Sequence, residues 1–377
     1  MPSAVSWIES LTPWPEEFGL GRMRALLSRL GDPQHAYPSI HVVGTNGKTS
    51  TARVLEVLLE GEGLRVGTYT SPHVLGWSER IRVLGEEADL DEAIERVRTS
   101  AEAVGATQFE VLTAAALAEF EASGVDVAVV EAGLGGRHDA TNVLRSPVQV
   151  LTNVALEHTE QLGDTREAIA AEKLAVVQPG ATVVLGEPEW EGMARAAGAG
   201  SVVVVSASHL ALALAAAEAF VGKPVDPDAA DGLVIPGRLE FRGDAPLEIW
   251  DGAHNLSGVG YLLGRLPSRR YVLVLSILAD KDVEEMLAAL SVLGERVVVT
   301  SSSSPRALSA EDLTSLADRF FQHVEAVPDP AAALERAREW ATEDGAVLVT
   351  GSLYLLADLA AAIRPPFSVP WDASPNG

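Results

Sequence analysis

The chain has no cysteine, which removes disulfides, thiolate zinc sites and thiol nucleophiles from consideration. Basic residues are scarce: 28 Lys and Arg stand against 53 Asp and Glu, a formal charge of −25. Such a surface repels nucleic-acid and anionic-membrane phosphates, so neither is an expected partner. A local nest inside an acidic protein can still hold phosphate, and the acidity itself fits solubility or a salty or hot habitat equally well. Long apolar runs are missing too. Residues 202–205 and 211–217 read as core, nothing reaches the ~18 residues of a membrane span, and no basic, apolar, cleavable N-terminus is read. The expected compartment is the cytoplasm. A length of 377 residues suggests two domains or one large one, with ample core.

Against this background one stretch stands out: Ile40-His41-Val42-Val43-Gly44-Thr45-Asn46-Gly47-Lys48-Thr49-Ser50-Thr51. An apolar strand enters a glycine-bearing turn, and Lys48 with its hydroxyl neighbours opens a segment with Val54, Val57 and Leu58 at helical spacing. That order makes a phosphate cradle, in which backbone N–H groups and the helix dipole face the anion and Lys48 reaches the outer phosphates. A hydroxyl after the lysine is placed to join the shell of Mg²⁺. The strict pattern wants a glycine at position 42, where Val42 stands; the early glycine is Gly44 instead.

Strands and helices then alternate. Strands are expected at 66–70, 125–131, 148–154, 181–185 and 202–205, with helices at 89–104, 110–121 and 164–178. A second alternating series has strands at 247–250, 271–275, 297–300 and 346–350 and helices near 282–292, 309–321 and 330–343. Both series predict doubly wound α/β units with parallel sheets. The expected domains are 1–237 and 247–377, joined by a linker at 238–246, and the Pro- and Ser-bearing tail 365–377 is expected to fray.

Four further stretches are polar where a plain core has no need of it. Thr70-Ser71-Pro72-His73 follows a strand, so Ser71 can face the phosphate crevice, although an ordinary Ser-Pro turn reads equally well. Glu131 ends a buried strand before Ala132-Gly133-Leu134-Gly135-Gly136-Arg137-His138-Asp139-Ala140-Thr141-Asn142. A carboxylate there needs a cation, and Mg²⁺ is one choice; a satisfied glutamate at a glycine-rich turn is the other. Asp139 can accept from a donor-rich ligand. His158, after Thr152-Asn153-Val154-Ala155-Leu156-Glu157, either ligates a metal or caps a hydrogen-bond network. Lys173 lies in a mostly apolar helix, where a lysine ordinarily reaches back to water. At the domain junction Arg238 suits phosphate, and Asp251 in Trp250-Asp251-Gly252-Ala253-His254-Asn255 suits ribose hydroxyls.

Taken together these motifs resemble the folylpolyglutamate synthase/dihydrofolate synthase family of the Mur ligase superfamily. The similarity runs from Gly19-Leu20-Gly21-Arg22 through the phosphate loop, Phe109-Glu110-Val111-Leu112-Thr113 and 131–142 to Asp280-Lys281-Asp282 and Thr350-Gly351-Ser352-Leu353-Tyr354. The 131–142 segment is the narrowest pointer to the folate branch.

The resemblance implies a Mur ligase architecture, a phosphate-loop ATPase domain followed by a smaller Rossmann-like domain. It implies that Asn46, Gly47, Lys48, Thr49 and Ser50 bind ATP phosphates, and that Arg238, Asp251, His254 and Asn255 reach ATP from the junction and second domain. Ser71, Glu131 and His158 are implied as ligands of Mg²⁺, two ions in all, with Thr49 a further ligand and Lys173 carbamylated into one. Lys48, Lys173, His158 and Arg238 form the implied catalytic set. Gly19, Leu20, Phe109, Asp139 and Ala140 fall where the pterin-bearing substrate lies. The implied reaction is ATP-dependent addition of L-glutamate to dihydropteroate or a reduced folate by a monomeric enzyme. The alternatives are a Mur-type amide ligase with a non-folate acceptor and a phosphate-loop NTPase that makes no bond. Two features depart from the pattern: Glu157 stands where aspartate is usual, and the family's ATP-contacting asparagine is missing, with His209 nearest and its role unassigned.

Overall fold

The computed structural model describes residues 3–15 and 17–362, in two compact units, Met1–Asp231 and Gly232–Gly377. The tail 365–377, expected to fray, lies outside the described residues.

In the first unit α1 (Ala4–Ser10) and α2 (Gly21–Arg29) precede β1 (Ser39–Val43) and α3 (Lys48–Gly61). Next come β2 (Val66–Tyr69), a short hairpin of β3 (Ile81–Val83) and β4 (Glu86–Glu87), α4 (Leu90–Val104), α5 (Gln108–Ala122) and β5 (Val127–Glu131). The unit continues with β6 (Val148–Leu151), α6 (Thr159–Leu162), α7 (Arg166–Leu174), β7 (Thr182–Leu185), α8 (Glu191–Ala196), β8 (Ser201–Val204) and α9 (His209–Val221). Strand order is β4-β3-β2-β5-β1-β6-β7-β8, parallel except for the β3 and β4 edge. β1 lies between β5 and β6, and the chain crosses over it between those two strands. The crevice beyond the strand ends at such a reversal is where open α/β sheets bind ligands.

Alternation along the strands divides the core. Ile40, Val42, Val127 and Val129 pack with Leu55, Leu58 and Leu59 of α3 and Leu212 and Ala216 of α9. Ala128, Val130 and Tyr69 face the other way, onto Val111, Ala115 and Ile94 of α5 and α4. Helices therefore cover both faces, as a parallel sheet requires.

The second unit holds β9 (Glu240–Asp244), β10 (Leu247–Trp250), α10 (Leu256–Leu263), β11 (Tyr271–Leu275), α11 (Val283–Leu290) and β12 (Arg296–Val299). It closes with α12 (Ala310–Ala317), β13 (His323–Ala326), α13 (Pro330–Ala341), β14 (Ala346–Thr350) and α14 (Leu353–Ala362). Its order is β13-β12-β11-β14-β10-β9, parallel apart from β9. One expectation is corrected here. The stretch 238–246 is not a linker: β9 pairs antiparallel with β10 and Phe241 packs against the second core. Gly243 and Pro246 look like breakers in sequence, but Gly243 pairs with Glu248 within the edge strand and Pro246 sits in the turn between β9 and β10. Among the described residues no helix is long and apolar enough to cross a membrane.

Candidate active site

The turn after β1 is shaped by two glycines, Gly44 at φ 149° and Gly47 at φ 80°. A Cβ on Gly44 would lie 1.9 Å from Thr152 Oγ1, and one on Gly47 would lie 2.6 Å from His209 Nε2. Both positions therefore need glycine for space as well as for backbone angle. The loop is tied to the segment after β6: Thr45 N–H donates to Asn153 O at 2.9 Å, Asn46 N–H to Asn153 Oδ1 at 2.8 Å, and Thr152 Oγ1 to Asn46 O at 2.7 Å. The first helical bond of α3 is Thr51 N–H to Gly47 O, so the N–H groups of Lys48, Thr49 and Ser50 make up the anion-facing first turn. Lys48 Nζ folds over the loop onto Gly44 O at 3.1 Å and Thr45 O at 3.0 Å.

Three of the expected metal residues converge. Glu131, buried at the end of β5, accepts from Thr49 Oγ1 at 3.1 and 3.0 Å and from the backbone N–H of Ser71 at 3.1 Å. β1, β5 and β2 are adjacent, which is why residues 82 and 60 positions apart meet. A carboxylate with the Thr49 hydroxyl beside it suits Mg²⁺, which binds through few carboxylates and lets substrate phosphates and water complete its octahedron. His158 stands apart as the left-handed residue that caps the start of α6, φ 46°.

Lys173 does not reach to water. It is 1% exposed, and its Nζ donates to Gly44 O at 2.8 Å and to Glu157 Oε1 at 3.0 Å. Gly136 permits this burial, since a Cβ there would lie 2.7 and 2.8 Å from the carbonyl oxygens of Glu172 and Lys173. Burial is the main influence on the ammonium and holds its pKa down to about 8, with Lys48 adding to the depression and Glu157 opposing it. For Glu157, burial pushes upward, but Lys173 and Lys48 outweigh it and hold the carboxyl below its ordinary range. As an unmodified cation Lys173 braces the phosphate loop and has no lone pair to give a metal.

The segment expected to meet the pterin forms a second cluster. Asp139 takes N–H donors from Leu134 at 2.7 Å and Thr141 at 3.0 Å, together with the Thr141 hydroxyl and the Gly133 amide. Its acceptor sites are thus filled by its own loop, and it acts here by shaping residues 133–141 around Ala140, which is buried. Burial pushes its carboxyl upward against those hydrogen bonds. Behind it His41 Nε2 lies 2.8 Å from Thr141 Oγ1; the hydroxyl donates to Asp139, so it accepts from the imidazole N–H. Phe109 packs on Gly133, where a Cβ would fall 2.4 Å from its ring. Gly19 and Leu20 immediately precede α2, whose Arg22 pairs with Glu110 at 2.7 Å.

In the second unit Asp251 accepts from Leu239 N–H at 2.8 Å and Ala253 N–H at 2.9 Å, and burial raises its carboxyl pKa. Arg238 donates to Gly237 O at 3.2 Å, His254 Nδ1 lies 2.8 Å from Gly252 O, and Asn255 caps α10 through Gly258 N–H at 2.7 Å. His209, left without a role by the sequence, lies against the phosphate loop at Gly47, a contact across 162 positions. One site feature was not assigned from sequence. Arg80 donates through Nε to His73 Nδ1 at 2.9 Å and stacks 4.8 Å from the Trp77 ring, and its charge acts on Glu131. The charged Glu79-Arg80-Ile81-Arg82 run was its one available signal.

Residues 42–220 match the Mur ligase middle domain, and residues 237–353 match the Mur ligase glutamate ligase domain. The dihydrofolate synthase/folylpolyglutamate synthase of Mycobacterium tuberculosis is 34% identical, over 82% of this chain and 80% of that protein. Its Bacillus subtilis counterpart is 30% identical over 96% and 98%. Among solved structures, the M. tuberculosis folylpolyglutamate synthase complexed with ADP aligns with a TM-score of 0.87 at 31% identity, covering 96% and 98% of the two chains. Escherichia coli FolC in complex with DHPP and ADP gives 0.86 at 30%, covering 96% and 97%. The chain therefore belongs to the folylpolyglutamate synthase/dihydrofolate synthase family of Mur ligases.

Proposed function

We propose that this protein is an ATP-dependent ligase that joins L-glutamate to the carboxylate of dihydropteroate, of a reduced folate, or of both. The observation that carries the reading is the cluster at the ends of β1, β2 and β5, where Thr49 and Ser71 meet Glu131 beside the first turn of α3. An acceptor carboxylate oxygen attacks the γ-phosphorus of ATP, giving an acyl phosphate and ADP. The glutamate amine then attacks the acyl carbon, loses a proton, and phosphate departs.

In this scheme the amides of Lys48, Thr49 and Ser50 cradle the phosphates, and Lys48 moves from its loop carbonyls to the outer phosphate oxygens. Thr49, Glu131, Ser71 and His158 would hold Mg²⁺, which would supply positive charge to neutralise the transferring phosphoryl group. Lys173 braces Gly44 and Glu157, and its depressed pKa favours the neutral amine that carbamylation requires. Arg238, Asp251, His254 and Asn255 are assigned to the nucleotide by family pattern. Asp139 and Ala140 form the loop on which the pterin rests, with Phe109, Gly19 and Leu20 beside it. The same reading takes the working form to be a monomer in the cytoplasm.

The test supplies ATP, Mg²⁺ and L-glutamate with dihydropteroate or tetrahydrofolate in separate reactions, reading phosphate and product mass. Glutamylated product from both acceptors marks a bifunctional enzyme, and product from one marks that activity alone. Phosphate release without either product would sink the reading.

A further inference from the structure

Three aromatic rings run in a row from the surface of the first unit to the end of β2. Trp14 lies 5.8 Å from Phe109 at an interplanar angle of 36°, and Phe109 lies 6.1 Å from Tyr69 at 39°. Tyr69 is fully buried and Phe109 nearly so, but Trp14 leaves 47% of its surface uncovered. An indole serving only as a lid on the core would bury more of itself, because aromatic surface is the largest apolar area a side chain can hide.

The uncovered ring is also held in place. Pro13 and Pro15 flank it, and each restricts its own backbone and that of the residue before it. The preceding segment is fastened to the start of α5, the helix that carries Phe109: Gln108 N–H donates to Thr12 O at 2.9 Å and Gln108 Nε2 to Ile8 O at 3.0 Å. Phe109 in turn rests on Gly133, whose amide bonds Asp139. A pre-set, half-exposed indole thus stands beside the loop already proposed to carry the acceptor.

We propose that Trp14 is a specificity-determining residue for the acceptor: it stacks against the flat heteroaromatic ring system of the pteroate group and extends the Phe109 surface outward. The inference rests on the acceptor class proposed above. It gives the N-terminal Pro-Trp-Pro segment a task at the acceptor subsite, with no part in binding the nucleotide or glutamate.

The experiment uses the full chain as wild type, Trp14→Phe and Trp14→Ala, with circular dichroism confirming a common fold. Steady-state kinetics are run against dihydropteroate, ATP and glutamate, and tryptophan fluorescence is followed while dihydropteroate is added. Trp14→Ala is expected to raise KM for the pteroate acceptor about 3- to 10-fold, the worth of one aromatic pair, with KM for ATP and glutamate within about twofold. Trp14→Phe should restore most of the acceptor KM, and both variants should lose part of the ligand-dependent quenching. An unchanged acceptor KM and unchanged quenching in Trp14→Ala overturn the inference. So does a parallel rise in all three KM values, which marks a merely structural tryptophan. Either result beside an active wild type leaves the ligase reading standing, whereas a wild type inactive on every pteroate and folate acceptor removes both.

Discussion

Gly44→Ala is the sharpest probe of the phosphate loop because two separable penalties fall on one methyl group. The first is steric: the added Cβ would sit 1.9 Å from Thr152 Oγ1, with Thr152 Cβ at 3.1 Å and its backbone nitrogen at 3.2 Å. The hydroxyl cannot simply turn aside, since it donates to Asn46 O at 2.7 Å and holds the loop to the segment after β6. Overpacking of this kind costs about 1–3 kcal/mol. The second is conformational: φ is 149° at Gly44, and a non-glycine residue held there adds on the order of 1–3 kcal/mol. The total of about 2–6 kcal/mol falls on the residue whose carbonyl receives both Lys48 and Lys173. Hydrogen exchange on peptides from β1 and β6 reads the local loss, and calorimetry reads ADP affinity, expected to fall about tenfold or more. Adding Thr152→Ala removes the hydroxyl but not the unusual φ. The double variant should therefore be less destabilised than the sum of the singles by about 1–3 kcal/mol. Strict additivity would refute the steric argument, and wild-type exchange and affinity in Gly44→Ala would refute the whole of it.

Glu131→Gln keeps the shape of the strand end but removes the charge that faces Thr49 and Ser71. Phosphate release across a Mg²⁺ titration should fall about 10²- to 10³-fold with the fold retained, and a wild-type rate would count against a charge role. His41 is buried, and burial lowers its pKa from 6.5 to about 3, so the folded state favours the neutral ring. Its contribution to stability is complete above about pH 6.5 and is lost as pH falls toward 3. The stability gap between wild type and His41→Asn should narrow over that window in urea unfolding, and a gap constant with pH would refute the assignment. In the second unit Arg338 grips the buried Glu248 at 2.7 and 3.1 Å, and Trp250 Nε1 donates to the same carboxylate at 2.8 Å. Arg338→Met should cost about 2–3 kcal/mol, below the fully buried range because the arginine keeps a third of its side chain in water. Hydrogen exchange of β10 and β14 peptides measures it, and unchanged protection would show that Glu248 finds another partner.

What could be read from sequence and what could not divide along a physical line. The phosphate loop was legible because its ingredients are local: an apolar run, glycines, a lysine and a helix start within a dozen residues. Glu131 was legible as a problem, a charge ending a buried strand, but its answer came from neighbours set by strand order, Thr49 after β1 and Ser71 after β2. Lys173 shows the limit. Its helix looks amphipathic enough for a lysine to reach solvent, and the buried outcome depends on Gly136, 37 positions earlier, letting another backbone close over it. The misread linker at 238–246 has the same cause, since Gly243 and Pro246 break a strand in isolation but suit an edge hairpin once β10 lies alongside. Asp139 goes further, because a carboxylate that looked free for a ligand turns out to be filled by its own loop. Its influence on any acceptor therefore passes through the shape of residues 133–141. A substitution of Asp139 should alter recognition by reshaping that loop rather than by removing a contact of its own carboxylate. For that reason Trp14, with 47% of its surface uncovered, is the better place to look for contact with the acceptor ring.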